Sequence, residues 1–249
     1  MPQSGPGPIR LFNDFSGVGA TLASALDVYS LGDFYAGGES IEVTTAGIVG
    51  SAFLSGGIQL NTDNTDADTV FVGTNIMFDV GLMGTIVLEA RIQMPDFDTK
   101  EIFFGLTSIL AFDHQLADSI SNSSSTVITM TAENCGFYFS DELTASATEW
   151  HGVHNGGTAG DSTTVADVNL GTIGSANPTA GEWQIMRLEV DTNGTARWYI
   201  DEVLMQTVKG AVSTTTNFAA YVATAANTTQ KAIIELDYLL VKANRDWTV

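Results

Sequence analysis

Basic side chains are scarce in this sequence, which has nine lysines and arginines against 29 aspartates and glutamates. The formal net charge is −20, although only 15% of the residues are charged, compared with about 25% in an average soluble domain. Because phosphate binding requires clustered lysine and arginine, this charge argues against a nucleic-acid partner. It argues equally against binding to an anionic membrane surface.

Cysteine, proline and long apolar runs are also scarce. Cys135 is the single cysteine, so the chain forms no internal disulfide and no cysteine metal cluster. No uncharged apolar run approaches the ~18 residues of a membrane span. Three of the five prolines lie in Met1–Pro8, which lacks the apolar core of a signal peptide. We expect this segment to be an arm on one all-β domain, residues 9–249, that is synthesised in the cytosol.

Alternation of apolar and polar residues predicts that most of the chain forms strands. Thr85–Met94 alternates over ten residues, and Ile102–Leu106 is its expected antiparallel partner. Leu22–Leu31 has helical spacing and is the one helix that we expect. Short apolar segments between glycine and threonine clusters predict further strands at Ile9–Phe12, Ser40–Thr45, Ala52–Leu54, Gly57–Leu60, Thr69–Val72 and Asn75–Phe78.

The segment Trp183–Val208 predicts a hairpin whose register depends on the loop around Asn193-Gly194. A two-residue loop would place core-facing side chains of one strand opposite solvent-facing side chains of the other. A three-residue loop, with Gly194 in the left-handed region, keeps the apolar side chains of both strands on one face. In the second register Leu188 lies opposite Trp198, inside the core. On the outer face Glu189 lies opposite Arg197, as a cross-strand ion pair. The apolar pattern favours this second register.

The last predicted strand is Ala232–Val241. Strict alternation gives it one face formed by Ile234, Leu236, Tyr238 and Leu240. Many strands and almost no helix predict an antiparallel β-sandwich.

Glu235 and Asp237 are the first candidates for chemistry, because alternate carboxylates on a strand resemble the acids of glycosidases. Laminarinase-type enzymes carry Glu-x-Asp-x-x-Glu, but here the positions that follow are Leu239 and Leu240. The third acid is missing. We therefore predict that both carboxylates belong to a solvated outer face and have no catalytic role.

Asp63, Asp66 and Asp68 are closely spaced carboxylates of the kind that hold calcium. The spacing does not fit an EF-hand, because the glycine and the closing glutamate of that motif are absent. A polar turn is the favoured interpretation.

Glu149, His151, His154 and Asp161 form a third candidate, a zinc site. Two histidines three residues apart do not share a strand face, and the surrounding glycines and threonines favour an exposed loop. There is no nucleophile elbow, phosphate loop or dinucleotide fingerprint. We therefore predict no catalytic, cofactor-binding or metal-binding residues.

Four tryptophans have side chains suited to stacking on sugars: Trp150, Trp183, Trp198 and Trp247. The hairpin register places at least Trp198 in the core instead.

Several segments resemble known proteins. Gly181–Leu204 resembles the penultimate hairpin of concanavalin A-like (laminin G-like) jelly rolls, with Glu202 at a position where glycine is usual. Ile234–Arg245 resembles the closing strand of that fold, and Leu88–Met94 with Ile102–Thr107 resembles its central pair. Together with Gly136–Phe139, these segments resemble virion proteins of tailed bacteriophages.

The resemblance implies a concanavalin A-like jelly roll and a non-enzymatic structural role in a phage virion, most simply as a capsid decoration or cement protein. The expected partners are the capsid protein lattice and other copies of the chain, as a homotrimer that uses the Met1–Pro8 arm. The alternatives are a carbohydrate-binding module of a tail or host-attachment fibre, and a degenerate glycan-active enzyme.

Overall fold

Two large antiparallel sheets form the fold in the computed structural model, which describes residues 7–17, 29–42, 46–51, 56–124, 126–162, 170 and 177–245. Sheet 1 contains, in spatial order, β16 (Val203–Val208), β15 (Ala196–Ile200), β14 (Trp183–Val190), β8 (Ile86–Gln93), β18 (Ile233–Asn244), β5 (Ile58–Asn61) and β4 (Gly47–Gly50), with β1 (Pro8–Asn13) also paired to β18.

Sheet 2 packs against sheet 1 and has the same number of strands, eight. It contains, in spatial order, β13 (His151–His154), β12 (Asn134–Ser140), β9 (Lys100–Thr107), β17 (Asn217–Ala226), β6 (Thr69–Gly73), β3 (Phe34–Gly37) and β2 (Tyr29–Leu31), with β7 (Phe78–Asp79) also paired to β17. A separate hairpin consists of β10 (Ile120–Ser124) and β11 (Val127–Met130). The predicted antiparallel β-sandwich is thus confirmed.

The main core lies between the two sheets. In β8 every second side chain is buried there, from Ile86 to Ile92, as the alternation predicts. Trp198 of sheet 1 is fully buried, and its Nε1 donates a 2.7 Å hydrogen bond to the carbonyl of Gly136 in sheet 2. Trp198 is therefore a core residue, as predicted.

A second apolar cluster covers the outer face of sheet 2. Leu116, Ile120 and Ile128, from the segment between β9 and β12, pack over Phe103 and Tyr221 of that sheet. β9 and β12 are consequently buried along their whole length. Sheet 2 is thus covered on both faces, whereas sheet 1 presents one face to solvent.

The β14–β15 hairpin adopts the predicted three-residue register, with Leu188 opposite Trp198 and Glu189 opposite Arg197. Gly194 has φ +75° and donates its N–H to the carbonyl of Asp191. The expected Glu189–Arg197 ion pair is wrong, because Arg197 Nη2 lies 2.6 Å from Asp191 Oδ2 at the loop.

At the next turn Glu202 occupies the left-handed region with φ +67°. This is the conformation that favours glycine, and it explains the glycine that is usual at this position.

The predicted pairing of the strand at Thr85–Met94 with Ile102–Leu106 is wrong. β8 pairs with β14 and β18 in sheet 1, whereas β9 lies between β12 and β17 in sheet 2. The reason is visible in the apolar run Ile102-Phe103-Phe104, which needs burial on both faces and therefore takes a central position in a doubly covered sheet.

The predicted alternation of the last strand fails at one residue. A bulge at Asp237 separates the pairs Leu236–Ile92 and Tyr238–Arg91. The extra residue reverses the facing of all that follow. Leu239 and Val241 therefore enter the core, while Tyr238 and Leu240 turn outward.

Four local predictions need correction or fall outside the described residues. Ser40–Thr45 is not a strand where it is described, because Glu39–Glu42 forms a 3-10 segment. In Asn75–Phe78 strand structure begins only at Phe78. Residues 22–28 of the predicted helix and the strand at 52–54 lie outside the described residues, but Tyr29–Leu31 is a strand.

Residues 1–6 of the arm also lie outside the described residues, and Pro8 is already the first residue of β1. No helix among the described residues is long and apolar enough to cross a membrane.

Candidate functional site

The carboxylates Glu235 and Asp237 each have a partner on sheet 1. Glu235 Oε1 accepts a 2.5 Å hydrogen bond from Gln59 Nε2, and Asp237 Oδ2 lies 2.9 Å from Arg91 Nη1. The bulge at Asp237 shifts the register only for the residues that follow, so Glu235 and Asp237 both face outward. Both lie on the outer face of sheet 1, as predicted, but Glu235 is only 5% exposed, so the predicted solvated position is wrong for Glu235.

The three aspartates of the 63–68 loop separate into different surroundings. Asp63 Oδ1 accepts the backbone N–H of Thr65 at 2.8 Å, as in a polar turn. Asp68 is buried beside it, and this burial, together with its hydrogen bond to Asp63, raises the pKa of Asp68 to about 7. Asp66 instead lines a cavity that it shares with Glu101 of β9. The loop therefore does not bring the three carboxylates together.

The two histidines of the predicted zinc candidate lie at the ends of β13, on opposite faces. His154 faces the main core, with its ring 6.0 Å from that of Trp198, whereas His151 is paired with Tyr138 on the outer face of sheet 2. Burial lowers the pKa of His151 to about 4. Asp161 is exposed, and no group of three metal-ligating side chains occurs among the described residues. The expected exposed loop is wrong here, because β13 is fully buried.

The tryptophans and Cys135 belong mainly to the packing. Trp150 is buried and its Nε1 donates to Gln184 Oε1 at 3.0 Å. Trp183 lies on the outer face of sheet 1, with the Arg91 guanidinium 4.8 Å from its ring. Burial raises the pKa of the Cys135 thiol, which keeps it protonated. Trp247 lies outside the described residues.

An aromatic pocket that the sequence did not predict lies at the edge of the second apolar cluster. It has a volume of about 420 Å³ and is lined by Tyr35, Asn75, Leu110, Ala111, Phe112 and Asp113. The Phe112 side chain is 54% exposed, and its ring is 5.5 Å from that of Tyr35 at an angle of 79°. We call this site the aromatic pocket.

The backbone of Gly37 and Gly38 packs closely against the backbone of Phe112 and so holds the outer wall of the aromatic pocket in place. Gly38 N donates a 2.7 Å hydrogen bond to the carbonyl of Phe112. A Cβ at Gly37 would lie 2.7 Å from the same oxygen, so only glycine allows this contact. Ile76 and Ile109, adjacent to lining residues, are themselves 44% and 39% exposed, so the rim is apolar.

Tyr35 and Asn75 supply the polar groups of the inner side. Tyr35 is half-buried on β3, where it also packs edge-on against Phe71. Desolvation raises the pKa of Tyr35 to about 12, so its hydroxyl remains a hydrogen-bond donor at neutral pH. Asn75 and Asp113 are exposed and add an amide and a carboxylate. The pocket thus combines aromatic surface with hydrogen-bonding groups of both kinds.

Glu101, at the start of β9, is the second site that the sequence did not predict. It is buried, and this burial, reinforced by the negative charges of Glu142 and Asp141, raises the pKa of Glu101 to about 8. A carboxyl group that is neutral at pH 7 is typical of an acid catalyst. The adjoining cavity, however, measures only about 110 Å³, well below the ~300 Å³ at which ligand pockets begin.

No protein-family model matches the sequence, and no curated protein matches it either. Several solved structures, however, resemble this chain in fold. A glycoside hydrolase family 16 protein of the Bacteroides ovatus mixed linkage glucan PUL, solved with a G4G4G3G product, gives a TM-score of 0.54 at 11% identity, with 93% of this chain and 99% of the other covered. The fold is a concanavalin A-like jelly roll.

Two further jelly-roll comparisons agree with this. The potassium-bound carbohydrate recognition domain of Emp46p gives a TM-score of 0.51 at 10% identity, with 92% of this chain and 97% of the other covered. A protein of unknown function from Shewanella oneidensis MR-1 gives 0.51 at 16% identity, with 98% and 90% covered. At such identities the likeness shows the jelly-roll fold alone.

Proposed function

We propose that this protein is a non-catalytic jelly-roll protein that binds a saccharide in the aromatic pocket. The observation that carries the proposal is the exposed Phe112 ring set 5.5 Å from Tyr35, beside the Asn75 amide and the Asp113 carboxylate. A pyranose ring has an apolar C–H face and a rim of hydroxyls. It therefore matches an aromatic surface that is flanked by donors and acceptors.

The comparisons support the choice of a saccharide as ligand. One jelly-roll neighbour is named as a carbohydrate recognition domain and another as a glycoside hydrolase holding a glucan product. The net charge of −20 favours neutral sugars, since acidic ones would be repelled by the protein as a whole.

Three observations support the absence of catalysis. Among the described residues, the second apolar cluster packs over Phe103 and Tyr221 on the outer face of sheet 2, where it takes the place of a substrate groove. Glu235 and Asp237 are bound to Gln59 and Arg91. Glu101 faces a cavity too small for a sugar ring.

The test is a glycan array of neutral and acidic oligosaccharides, followed by calorimetric titration of the strongest binder. We expect Phe112→Ala to weaken binding at least tenfold, because it removes the exposed ring face. Leu82→Ala is the matched control, since Leu82 is also half-exposed, at 50%, and is not among the pocket-lining residues. Absence of any binder, or equal affinity for both variants, would contradict the proposal.

The absence of catalysis has its own test. We expect no release of reducing sugar from mixed-linkage or β-1,3-glucan. If hydrolysis were measured and Glu235→Gln abolished it while the protein stayed folded, the degenerate-enzyme alternative would be correct.

A structural role in a phage virion, as a capsid decoration or cement protein, is the second candidate. It is favoured by the exposed edge strand β16, where Val203 and Leu204 are 57% and 50% exposed, because such edges serve to attach neighbouring chains. We expect the protein to bind a capsid lattice, as a homotrimer that uses its arm. Deletion of residues 1–8 should then lower its occupancy on particles, and unchanged occupancy would exclude the arm as the anchor.

A further inference from the structure

The outward-facing side chains of sheet 1 form a row that crosses six strands. Strand pairing gives their order as Phe12, Leu240, Glu89, Arg187, Tyr199 and Leu204. Both ends of the row are apolar and exposed, Phe12 at 39% and Leu204 at 50%. In the middle, the Arg187 guanidinium lies 4.3 Å from the Tyr199 ring centroid and within 4.0 Å of Glu89. We call this surface the six-strand face.

Basic residues are concentrated on the six-strand face. Five of the nine basic side chains of the chain point outward there: Arg10, Arg91, Arg187, Arg197 and Lys242. Five of the 29 acidic ones accompany them: Glu89, Glu189, Asp191, Glu235 and Asp237. The rest of the chain is left with four basic and 24 acidic side chains. The six-strand face is therefore nearly neutral on a strongly acidic protein.

We propose that two copies of this chain bind each other through their six-strand faces. Contact between the acidic surfaces of two copies is unfavourable, because their negative charges repel each other. Contact between two six-strand faces avoids this repulsion, because each face is nearly neutral. The row is also self-complementary. A two-fold axis between β8 and β14 sets Glu89 opposite Arg187 and Phe12 opposite Leu204, while Leu240 is already buried at 7% exposure.

The size and composition of the face suit such an interface. Six strands ~4.8 Å apart, with about eight residues each at ~3.3 Å, span on the order of 750 Å². A stable interface typically buries about 800 Å² on each partner. Exposed arginine, tyrosine, tryptophan and phenylalanine are the residue types enriched in protein–protein interfaces, while lysine is depleted there. Trp183 and Tyr238 lie beside the row on the same face, where Trp183 contacts Arg91 and Tyr238 donates a hydrogen bond to Glu89.

Sedimentation equilibrium of the full chain tests the proposal, in 0.3 M NaCl so that the acidic surfaces are screened. We expect a dimer with micromolar affinity. Leu204→Glu should weaken it at least tenfold, because it places a charge at the apolar end of the row. Leu82→Glu is the matched control, with the same exposure of 50% and a position outside the face, and it should change the affinity less than twofold.

A charge exchange gives a second, independent readout. Arg187→Glu alone sets like charges opposite each other across the two-fold axis and should weaken the dimer. The double variant Glu89→Arg/Arg187→Glu restores the pairing and should recover it. A wild-type protein that stays monomeric at 500 μM, equal losses for Leu204→Glu and Leu82→Glu, or a double variant no better than the folded single one would each overturn the proposal.

Discussion

The indole nitrogen of Trp198 donates a hydrogen bond to the backbone carbonyl of Gly136, 2.7 Å away on the opposite sheet. This contact crosses the main core and joins the hairpin of sheet 1 to β12 of sheet 2, the neighbour of edge strand β13. A buried carbonyl that loses its donor keeps its desolvation cost. Trp198 therefore stabilises the fold in two ways: its ring packs in the core, and its N–H hydrogen-bonds a carbonyl that would otherwise be buried without a partner.

We therefore expect Trp198→Phe to lower the free energy of unfolding by about 2–4 kcal/mol, measured by urea denaturation. Trp183→Phe, on the outer face, should cost less than about 1 kcal/mol. Equal losses for the two variants would show that the Trp198 contact has no special weight.

The hairpin loop makes a second prediction, on backbone conformation. Gly194 and Gly181 have similar positive φ values, +75° and +78°, but a Cβ would lie 2.3 Å from the Val212 carbonyl at Gly194 and meet nothing within 4 Å at Gly181. Gly181→Ala should cost only the left-handed backbone term, about 1 kcal/mol. Gly194→Ala should cost at least twice as much, because the 209–216 segment must move.

Both stabilities are measured by thermal and urea unfolding of the purified variants. Equal losses of stability for Gly194→Ala and Gly181→Ala would contradict the prediction, because they would show that Val212 can move away from the added Cβ without lowering the stability.

The hairpin register was predictable because two local signals agree: Asn193-Gly194 sets the loop, and the apolar faces on both sides allow one register. The partner of β8 was not predictable from adjacency in the sequence. The run Ile102-Phe103-Phe104 shows only that β9 is buried on both faces, and which sheet can bury it depends on the segment that covers sheet 2.

The bulge at Asp237 and the aromatic pocket were beyond sequence reasoning for different reasons. The bulge leaves no mark in the alternation, since Tyr238 and Leu239 are both apolar enough for either face. The pocket joins Tyr35, Asn75 and Phe112 from three distant segments, and no local spacing relates them. Glu101 does leave a signal, as a carboxylate at the head of an apolar strand, but its burial depends on the same covering segment.

The third prediction concerns Glu101 and the pH range from 4.5 to about 8. Its pKa is raised from 4.5 to about 8 in the folded protein, so its contribution to stability is complete below pH 4.5 and is lost as pH rises to about 8. Glu101→Gln is permanently neutral and lacks this loss. Relative to wild type, its free energy of unfolding should rise by up to about 1.4 kcal/mol per pH unit across that window.

Urea unfolding at pH 4.5, 6 and 8 measures the effect of Glu101→Gln. Glu182→Gln, at an exposed position, is the control and should parallel wild type. A constant difference between Glu101→Gln and wild type at all three pH values would contradict the prediction.

The last prediction concerns buried histidines and acid pH. Burial lowers the pKa of both His114 and His151 from 6.5 to about 4. For a group whose folded pKa is lowered, stability is complete above the unfolded value and is lost as pH falls through the folded one. Each histidine should therefore lower the free energy of unfolding between pH 6.5 and 4, by up to about 1.4 kcal/mol per pH unit, while Glu101 contributes the opposite change down to pH 4.5. His114→Gln and His151→Gln should each reduce that dependence on pH in urea unfolding. An unchanged acid slope in both variants would assign the loss to other groups.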